Sequence, residues 1–247
     1  MQIEIHASVR QATERLARLI VAELTAVPAL VLGLPTGRTP IPLYARLRQL
    51  HARGEVDFSR ATTFNLDEFV GVAPDQPGSY RFFMEAHLFR HVNIDPARVH
   101  FLDGRAADLE AECRRYDAAI EAAGRIGLQV LGLGSNGHIG FNEPAAGLTA
   151  ASHLVRLRPE SRRANAGLFG NDPARVPTEA LSLGMAGILR ARRIALVATG
   201  RSKARAVARL VEGPITTRVP ASLLQVHPDT LVLLDEAAAS GLAGRQV

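Results

Sequence analysis

A histidine on a glycine-rich loop is the first feature that could carry chemistry. It lies in the stretch LQVLGLGSNGHIGFNEP, from Leu128 to Pro144, where His138 is followed closely by Asn142 and Glu143. Histidine is the side chain that most readily exchanges a proton near neutral pH. The alternative is a core histidine beside an ordinary strand-to-helix turn, and only the combination with the following asparagine and glutamate is unusual.

The residues before this histidine predict where it lies in the fold. The run Leu128–Leu133 is too short and too apolar for an amphipathic helix, so we expect a buried parallel strand. The glycines that follow permit backbone angles closed to other residues. His138 is therefore expected on a tight loop at the carboxyl end of a strand, where open α/β sheets bind ligands.

Two carboxylates follow another predicted strand, Ala61–Phe64. In the sequence Asn65-Leu66-Asp67-Glu68, either acid could act as a base where the sheet meets solvent. Adjacent acids on a loop are more often simply solvated, and the two alternatives stay open at this point.

Two turns have the features of a phosphate site. The segment PTGRTP, Pro35 to Pro40, leads from a strand into a helix and supplies unpaired N–H groups and the Thr39 hydroxyl. A plain turn capped by Thr39 is the alternative. The second turn precedes another helix and contains Lys203, the single lysine among 29 basic side chains. A lysine there can meet a phosphate as a point charge.

Strands and helices alternate along the chain. We therefore predict an α/β fold, a Rossmann-like, doubly wound, mostly parallel sheet flanked by helices, in a single domain of residues 1–247. The predicted strands are Ile3–His6, Ala29–Leu34, Ala61–Phe64, Leu128–Leu133, His153–Leu157, Ile194–Ala198 and Leu231–Leu234. The predicted helices include Val9–Ala26, Tyr80–His91, Ala106–Ala123 and Ser182–Leu189, and a polar segment after Leu157 could close over a ligand.

Composition limits the classes of function. The formal charge is +5, but the arginines are scattered over separate predicted helices among acids, which argues against a nucleic-acid partner and favours anionic small molecules. Cys113, the only cysteine, excludes an intramolecular disulfide framework and has no metal-ligand pattern around it. No apolar run reaches the roughly 18 residues of a membrane helix, and the amino terminus lacks the features of a signal sequence. We expect a cytoplasmic protein.

Six blocks of the sequence resemble the glucosamine-6-phosphate deaminase family. They are GLPTGRTP, TFNLDEFVG, GLGSNGHIGFNEP, VPTEALSLG, GRSKA and LLQVHPD, and they span nearly the whole chain. The resemblance implies conversion of glucosamine 6-phosphate and water to fructose 6-phosphate and ammonia, without a metal or an organic cofactor. It leaves open whether the protein is a monomer or a homo-oligomer.

The resemblance also implies roles for individual residues. Asp67 matches the base that moves a proton between C2 and C1 of the open sugar, and His138 matches the residue that handles the ring oxygen. Glu143 matches the acid that holds this imidazole. The residues that match the phosphate and lid contacts are Gly37, Thr39, Arg162 and Lys203.

The sequence departs from the family pattern at two of these motifs. Asn136 stands where some members have an aspartate, so we place it in the catalytic group as a positioning or ligand-contact residue. Arg38 stands where glycine is usual, and its side chain could add a cation to the phosphate site. The alternatives are a 6-phosphogluconolactonase-like hydrolase, a galactosamine-6-phosphate deaminase and a non-catalytic sugar-phosphate sensor. The joint presence of Asp67, His138 and Glu143 favours catalysis.

Overall fold

The computed structural model describes residues 1–243. In chain order, the strands and helices are β1 (Gln2–His6), α1 (Val9–Ala26), β2 (Val31–Leu34), α2 (Ile41–Ala52), β3 (Thr62–Asn65), β4 (Asp67–Phe69), α3 (Tyr80–His87), β5 (Val99–His100), α4 (Leu109–Ala122), β6 (Leu128–Gly132), β7 (His153–Arg156), α5 (Pro159–Asn165), β8 (Glu179–Ser182), α6 (Met185–Leu189), β9 (Arg193–Ala198), α7 (Ala204–Val211) and β10 (Thr230–Asp235). Short 3₁₀ helices include Phe89–His91, Ala166–Phe169, Pro173–Arg175, Arg201–Lys203 and Pro220–Val226.

The larger sheet is parallel and is covered by helices on both faces. Its strand order is β1-β10-β9-β6-β2-β3-β5. Alternate residues of each strand point to opposite faces, so Leu231 and Leu233 pack with helices α1 to α3, whereas Val232 and Leu234 pack with α4, α6 and α7. Burial on both faces explains why these strands read as continuous apolar runs. The predicted doubly wound α/β fold is confirmed.

The direction of winding reverses between β2 and β6. From β2 the chain adds β3 and β5 on one side, and then it returns to place β6, β9 and β10 on the other side. The connections after β2 and β6 therefore leave the sheet in opposite directions and open a crevice at the carboxyl ends of the strands. The two glycine-containing turns of the sequence, Pro35 to Pro40 and Gly132 to Gly140, follow these two strands.

A second, three-stranded antiparallel sheet stands beside that edge. Its order is β4-β8-β7, with Asp67 paired to Ser182. The sequence analysis did not anticipate this sheet, and its predicted helix Ser182–Leu189 is wrong at its beginning. Ser182 ends strand β8, Gly184 has an extended backbone, and the helix starts at Met185.

Capping side chains explain where two of the helices begin. Helix α1 spans Val9–Ala26, as predicted, because the Ser8 hydroxyl accepts a hydrogen bond from the amide of Gln11 and caps its first turn. Helix α4 starts later than predicted, at Leu109, because Asp108 caps it by accepting from the amide of Ala111 at 2.9 Å.

The predicted extent of a single domain, 1–247, stays a prediction, and its last four residues lie outside the described ones. None of the helices within residues 1–243 combines the length and the apolar character that crossing a membrane requires.

Candidate active site

A cavity of about 470 Å³ opens at the carboxyl ends of β2, β6 and β9, beside strand β4. Most of the residues singled out in the sequence line it together. These are Gly37, Arg38, Thr39, Asp67, Asn136, His138 and Lys203. The turns and loops that carry them are far apart in sequence, and the parallel sheet brings them to one edge.

His138 lines this cavity, and it pairs with Glu143, which is buried outside the lining. The imidazole Nδ1 lies 3.4 Å from the Glu143 carboxylate oxygen Oε2, and the His138 side chain keeps 21% of its surface exposed. Asn136 holds both partners, since its amide donates to Glu143 Oε2 at 2.8 Å and its carbonyl oxygen accepts from the backbone N–H of His138 at 3.1 Å. This geometry favours a proton-transfer site over a packed core histidine.

The environment of Glu143 keeps it ionised. Burial by itself would raise the pKa of this carboxyl, but contacts with His138, Ser161 and Asn136 outweigh burial and hold the pKa below its usual value. The charged carboxylate faces the imidazole Nδ1 across 3.4 Å, a distance at which the contact is electrostatic and not a hydrogen bond.

Contacts within the loop and with the residue that follows β8 position the loop that carries His138. The Asn142 side-chain amide is buried and donates to the backbone oxygens of Ile139 and Leu183, at 3.0 and 2.9 Å. A Cβ on Gly134 would lie 2.4 Å from Cδ2 and Nε2 of the His138 ring. Glycine at position 134 is therefore what leaves space for the imidazole.

Asp67 lies on strand β4 and is buried, with only 7% of its surface exposed. The idea that this acidic pair is merely solvated is wrong, because both side chains are buried. Burial, together with the charge of Glu68, raises the pKa of Asp67 to about 8. Its Oδ1 atom has no hydrogen-bond partner within residues 1–243, so no donor there stabilises the anion through this oxygen.

Glu68, the other acid of the pair, has a structural role. Its carboxylate accepts hydrogen bonds from the backbone N–H groups of Phe69, Tyr80 and Arg81 and from the Ser79 hydroxyl, at 2.7 to 3.1 Å. Glu68 thereby anchors β4 to the beginning of helix α3. Asp67 remains the acid that faces the cavity.

The turn after β2 presents polar groups to the cavity. Gly37 has φ = +95°, a conformation that favours glycine, and the cap of helix α2 is Pro40, without a side-chain hydrogen bond. The alternative of a turn capped by Thr39 is therefore wrong, and the Thr39 hydroxyl faces the cavity. The Arg38 Nη2 atom lies 3.1 Å from the position that a Cβ on Gly167 would take.

The turn after β9 presents Lys203. Gly200 has φ = +85°, and its backbone N–H donates to both carboxylate oxygens of Asp235, at 2.9 and 3.1 Å, which fixes the turn against the end of β10. Burial lowers the pKa of Lys203. A partly desolvated ammonium at the rim of a polar cavity is suited to an anionic group.

Of the predicted residues, Glu143 and Arg162 do not line the cavity. Arg162 is bound elsewhere. Its guanidinium donates to the backbone oxygens of Val176 and Ala174, at 3.1 and 3.0 Å. Helix α5, which carries Arg162, nevertheless forms one wall of the cavity through other side chains. These are Glu160, Ser161, Ala164 and Asn165.

Two polar residues at the cavity were not singled out from the sequence. The Tyr80 hydroxyl donates to Asn165 Oδ1 at 2.9 Å, and the Ser161 hydroxyl donates to Glu143 Oε1. Nothing local marks Ser161, because its partner lies in a different segment. Tyr80 follows the capping residue Ser79, which gives it a place at a helix start but no sign of function.

No group of three or more histidine, cysteine, aspartate or glutamate side chains within residues 1–243 is arranged to hold a metal ion.

Comparison with known proteins places the chain in a family. The family model described as glucosamine-6-phosphate isomerases/6-phosphogluconolactonase matches residues 4–233. The chain belongs to this family. The glucosamine-6-phosphate deaminase of Halothermothrix orenii is 48% identical over 240 residues, which cover 97% of this chain and 99% of that protein. Glucosamine-6-phosphate deaminase 2 of Bacillus subtilis is 45% identical and covers 92% of this chain and 91% of its own.

Solved structures of the family share the fold. A structure described as a monomeric glucosamine-6-phosphate deaminase superposes with a TM-score of 0.94 at 41% identity, covering 98% of this chain and 100% of that one. The 6-phosphogluconolactonase from Trypanosoma brucei superposes with a TM-score of 0.72 at 21% identity, with 98% of each chain covered. The second likeness concerns the fold alone.

Proposed function

We propose that this protein is a glucosamine-6-phosphate deaminase, which converts glucosamine 6-phosphate and water to fructose 6-phosphate and ammonia. The observation that carries the proposal is that Asp67 and His138 line one cavity, with Glu143 3.4 Å from the His138 imidazole. Two turns suited to a phosphate group open into the same cavity. The relatives of nearly equal length that are named as glucosamine-6-phosphate deaminases support the same assignment.

In this proposal, His138 opens the sugar ring. Its imidazole accepts the proton of the anomeric hydroxyl and delivers a proton to the ring oxygen as the C1–O5 bond breaks, which leaves the open aldehyde form. Glu143 stabilises the positive charge that the His138 imidazole carries during this exchange. Asn136 keeps Glu143 and His138 in place through its two hydrogen bonds.

Asp67 then performs the isomerisation. As a carboxylate, it removes the proton from C2 and returns it to C1, while a proton passes from the amine to the C1 oxygen. C1 thereby becomes a hydroxymethyl group and C2 becomes an imine. Water adds to this imine, the C–N bond breaks, and ammonia leaves as the C2 ketone forms. A carboxylate suits this step because its two oxygens can face neighbouring carbons.

The phosphate group is assigned to the two turns. Backbone N–H groups near Gly37, the Thr39 hydroxyl and the Lys203 ammonium face the cavity and can meet about 1.5 to 2 negative charges. Arg38, beside Gly167, is a further cation at the rim. Arg162 can join the phosphate only if its guanidinium leaves the backbone oxygens of Ala174 and Val176.

An ammonia-release assay with glucosamine 6-phosphate tests the proposal. We expect the wild type to release ammonia and fructose 6-phosphate, and Asp67→Asn to release neither. Asp57→Asn is the matched control, because Asp57 is bound locally by Ser59 and Asn93 and its carboxylate does not line the cavity. It should keep full activity.

The alternatives give different results in the same assay. A galactosamine-6-phosphate deaminase would prefer the epimeric substrate, and a lactonase would hydrolyse a sugar-phosphate lactone without releasing ammonia. A folded wild type that binds the sugar phosphate but turns over neither substrate would identify a sensor.

The setting of the reaction also remains to be tested. We propose a small hexosamine phosphate as the ligand. The structural relative that is described as monomeric supports a monomer over a homo-oligomer for this protein. Light scattering can distinguish the two oligomeric states. The cytoplasmic location expected from the sequence stays a prediction.

A further inference from the structure

The Glu143 carboxylate receives hydrogen bonds from two different parts of the chain. Oε2 faces His138 and Asn136, which belong to its own loop, whereas Oε1 accepts from the hydroxyl of Ser161 on helix α5. Helix α5 also forms the wall that covers this side of the cavity. Ser161 therefore connects the covering helix to the group that orients the imidazole.

Burial makes the Ser161 contact hard to replace. Ser161 is 1% exposed and Glu143 is 8% exposed, so solvent has little access to Oε1 while α5 is in place. A buried carboxylate oxygen that loses its donor bears the cost of desolvation without compensation. The hydroxyl of Ser161 is thus one of the contacts, after those of His138, that hold the pKa of this carboxyl below its usual value.

The same helix is attached to the cavity at a second point. Asn165, one turn after Ser161, accepts a hydrogen bond from the Tyr80 hydroxyl at 2.9 Å and donates to the backbone oxygen of Ser161 at 3.0 Å. The position of Ser161 is therefore fixed by the way in which α5 lies over the cavity, and not only by the bond to Glu143.

We propose that Ser161 is a positioning residue, which holds the Glu143 carboxylate against His138 only while helix α5 covers the cavity. This inference rests on the function proposed above for its kinetic consequence, but the contact itself does not depend on that function. The Ser161 hydroxyl donates to Glu143. It acts through Glu143, by favouring the charged and correctly oriented carboxylate.

The direct test is an NMR titration of the Glu143 side-chain carboxyl in protein labelled with ¹³C at glutamate Cδ, with Glu143→Gln used to assign the signal. We expect Ser161→Ala to raise the pKa of Glu143 by about one unit, a tenfold change in ionisation, because one charge-assisted hydrogen bond is lost. Ser161→Thr keeps a hydroxyl on the same carbon and should retain the low pKa. Ser152→Ala is the matched control, since Ser152 donates to Asp117 in another part of the fold.

Kinetics supply a second readout. Under the proposed function, Ser161→Ala should lower kcat about tenfold with a smaller change in KM. In the Glu143→Gln background, the same substitution should have little further effect on kcat, since its target is already gone.

The outcomes separate the two proposals. An unchanged pKa of Glu143 in Ser161→Ala would overturn the role of Ser161, whatever the activity. If the wild type releases no ammonia, the proposed function fails, yet the titration still decides the inference because it needs no turnover. If Ser161→Ala does not fold, Ser161→Cys keeps the volume, donates only weakly, and should raise the pKa in the same way.

Discussion

Replacement of Asp67 by asparagine should remove activity and, above neutral pH, make the folded protein more stable. The pKa of Asp67 is about 8 in the folded protein, whereas an aspartate in an unfolded chain has a pKa of about 3.9. Between these two values the unfolded state gives up the proton and the folded state retains it. Wild-type stability therefore falls as the pH rises through this window.

The magnitude follows from the difference between the two pKa values. At pH 5 the ionisation of Asp67 in the unfolded chain lowers the free energy of unfolding of the wild type by about 1.5 kcal/mol. This figure depends almost entirely on the pKa of Asp67 in the unfolded chain. At pH 8 the loss reaches an upper limit of about 5 kcal/mol. Asparagine carries no charge at either pH. The difference in free energy of unfolding between Asp67→Asn and the wild type should therefore grow by about 3.5 kcal/mol from pH 5 to pH 8.

Urea unfolding of both proteins at pH 5 and pH 8 measures this growth directly. In thermal unfolding, the difference in Tm should widen by about 10 °C for a chain of this size. Comparison of variant and wild type at each pH cancels the titration of all other groups that are unaffected by the substitution.

Asp57→Asn is the control, because hydrogen bonds from Ser59 and Asn93 lower the pKa of Asp57. Its effect on stability should not become more favourable as the pH rises. A stability difference between Asp67→Asn and wild type that is equal at pH 5 and pH 8 would refute the raised pKa of Asp67. It would also remove the argument that burial sets this residue apart.

Three further predictions concern activity. Because the base form of Asp67 is needed, kcat/KM should rise about tenfold per pH unit below about pH 8 and level off above it, and a plateau already at pH 6 would contradict this. Gly134→Ala should displace the His138 ring and lower kcat by about 100-fold, whereas Gly147→Ala, whose Cβ meets nothing within 4 Å, should have little effect in the same assay. Lys203→Met should raise KM by about 10-fold to 100-fold and flatten the dependence of kcat/KM on salt; an unchanged salt profile would show that Lys203 does not attract the phosphate.

The sequence predicted the larger sheet well because its signals are local. Strands buried on both faces require continuous apolar runs, and the Ser8 cap fixed the beginning of α1. The turns after β2, β6 and β9 are marked by glycines with positive φ or by residues that can bind phosphate. Parallel strands place all their carboxyl ends at one edge, so the convergence of Thr39, His138 and Lys203 followed from the order of elements.

The smaller sheet could not be predicted in the same way. Strand β4 has only three residues and β8 only four, and each is a strand because it pairs with a partner distant in sequence. Strand β8 was not predicted, and only its last residue, Ser182, was assigned by periodicity to the helix that begins at Met185 in the structure.

The sequence by itself therefore determined the fold class, the edge of the sheet that carries the site and the chemical types gathered there. Only the tertiary structure decided how each group behaves. Asp67 has a high pKa because it is buried beside the charge of Glu68, and Glu143 stays charged because His138 and, from another segment, Ser161 contact it. The Arg162 side chain points away from the cavity because its guanidinium donates hydrogen bonds to the backbone oxygens of Ala174 and Val176. Ionisation and orientation depend on contacts between distant segments, which a local pattern of residues does not encode.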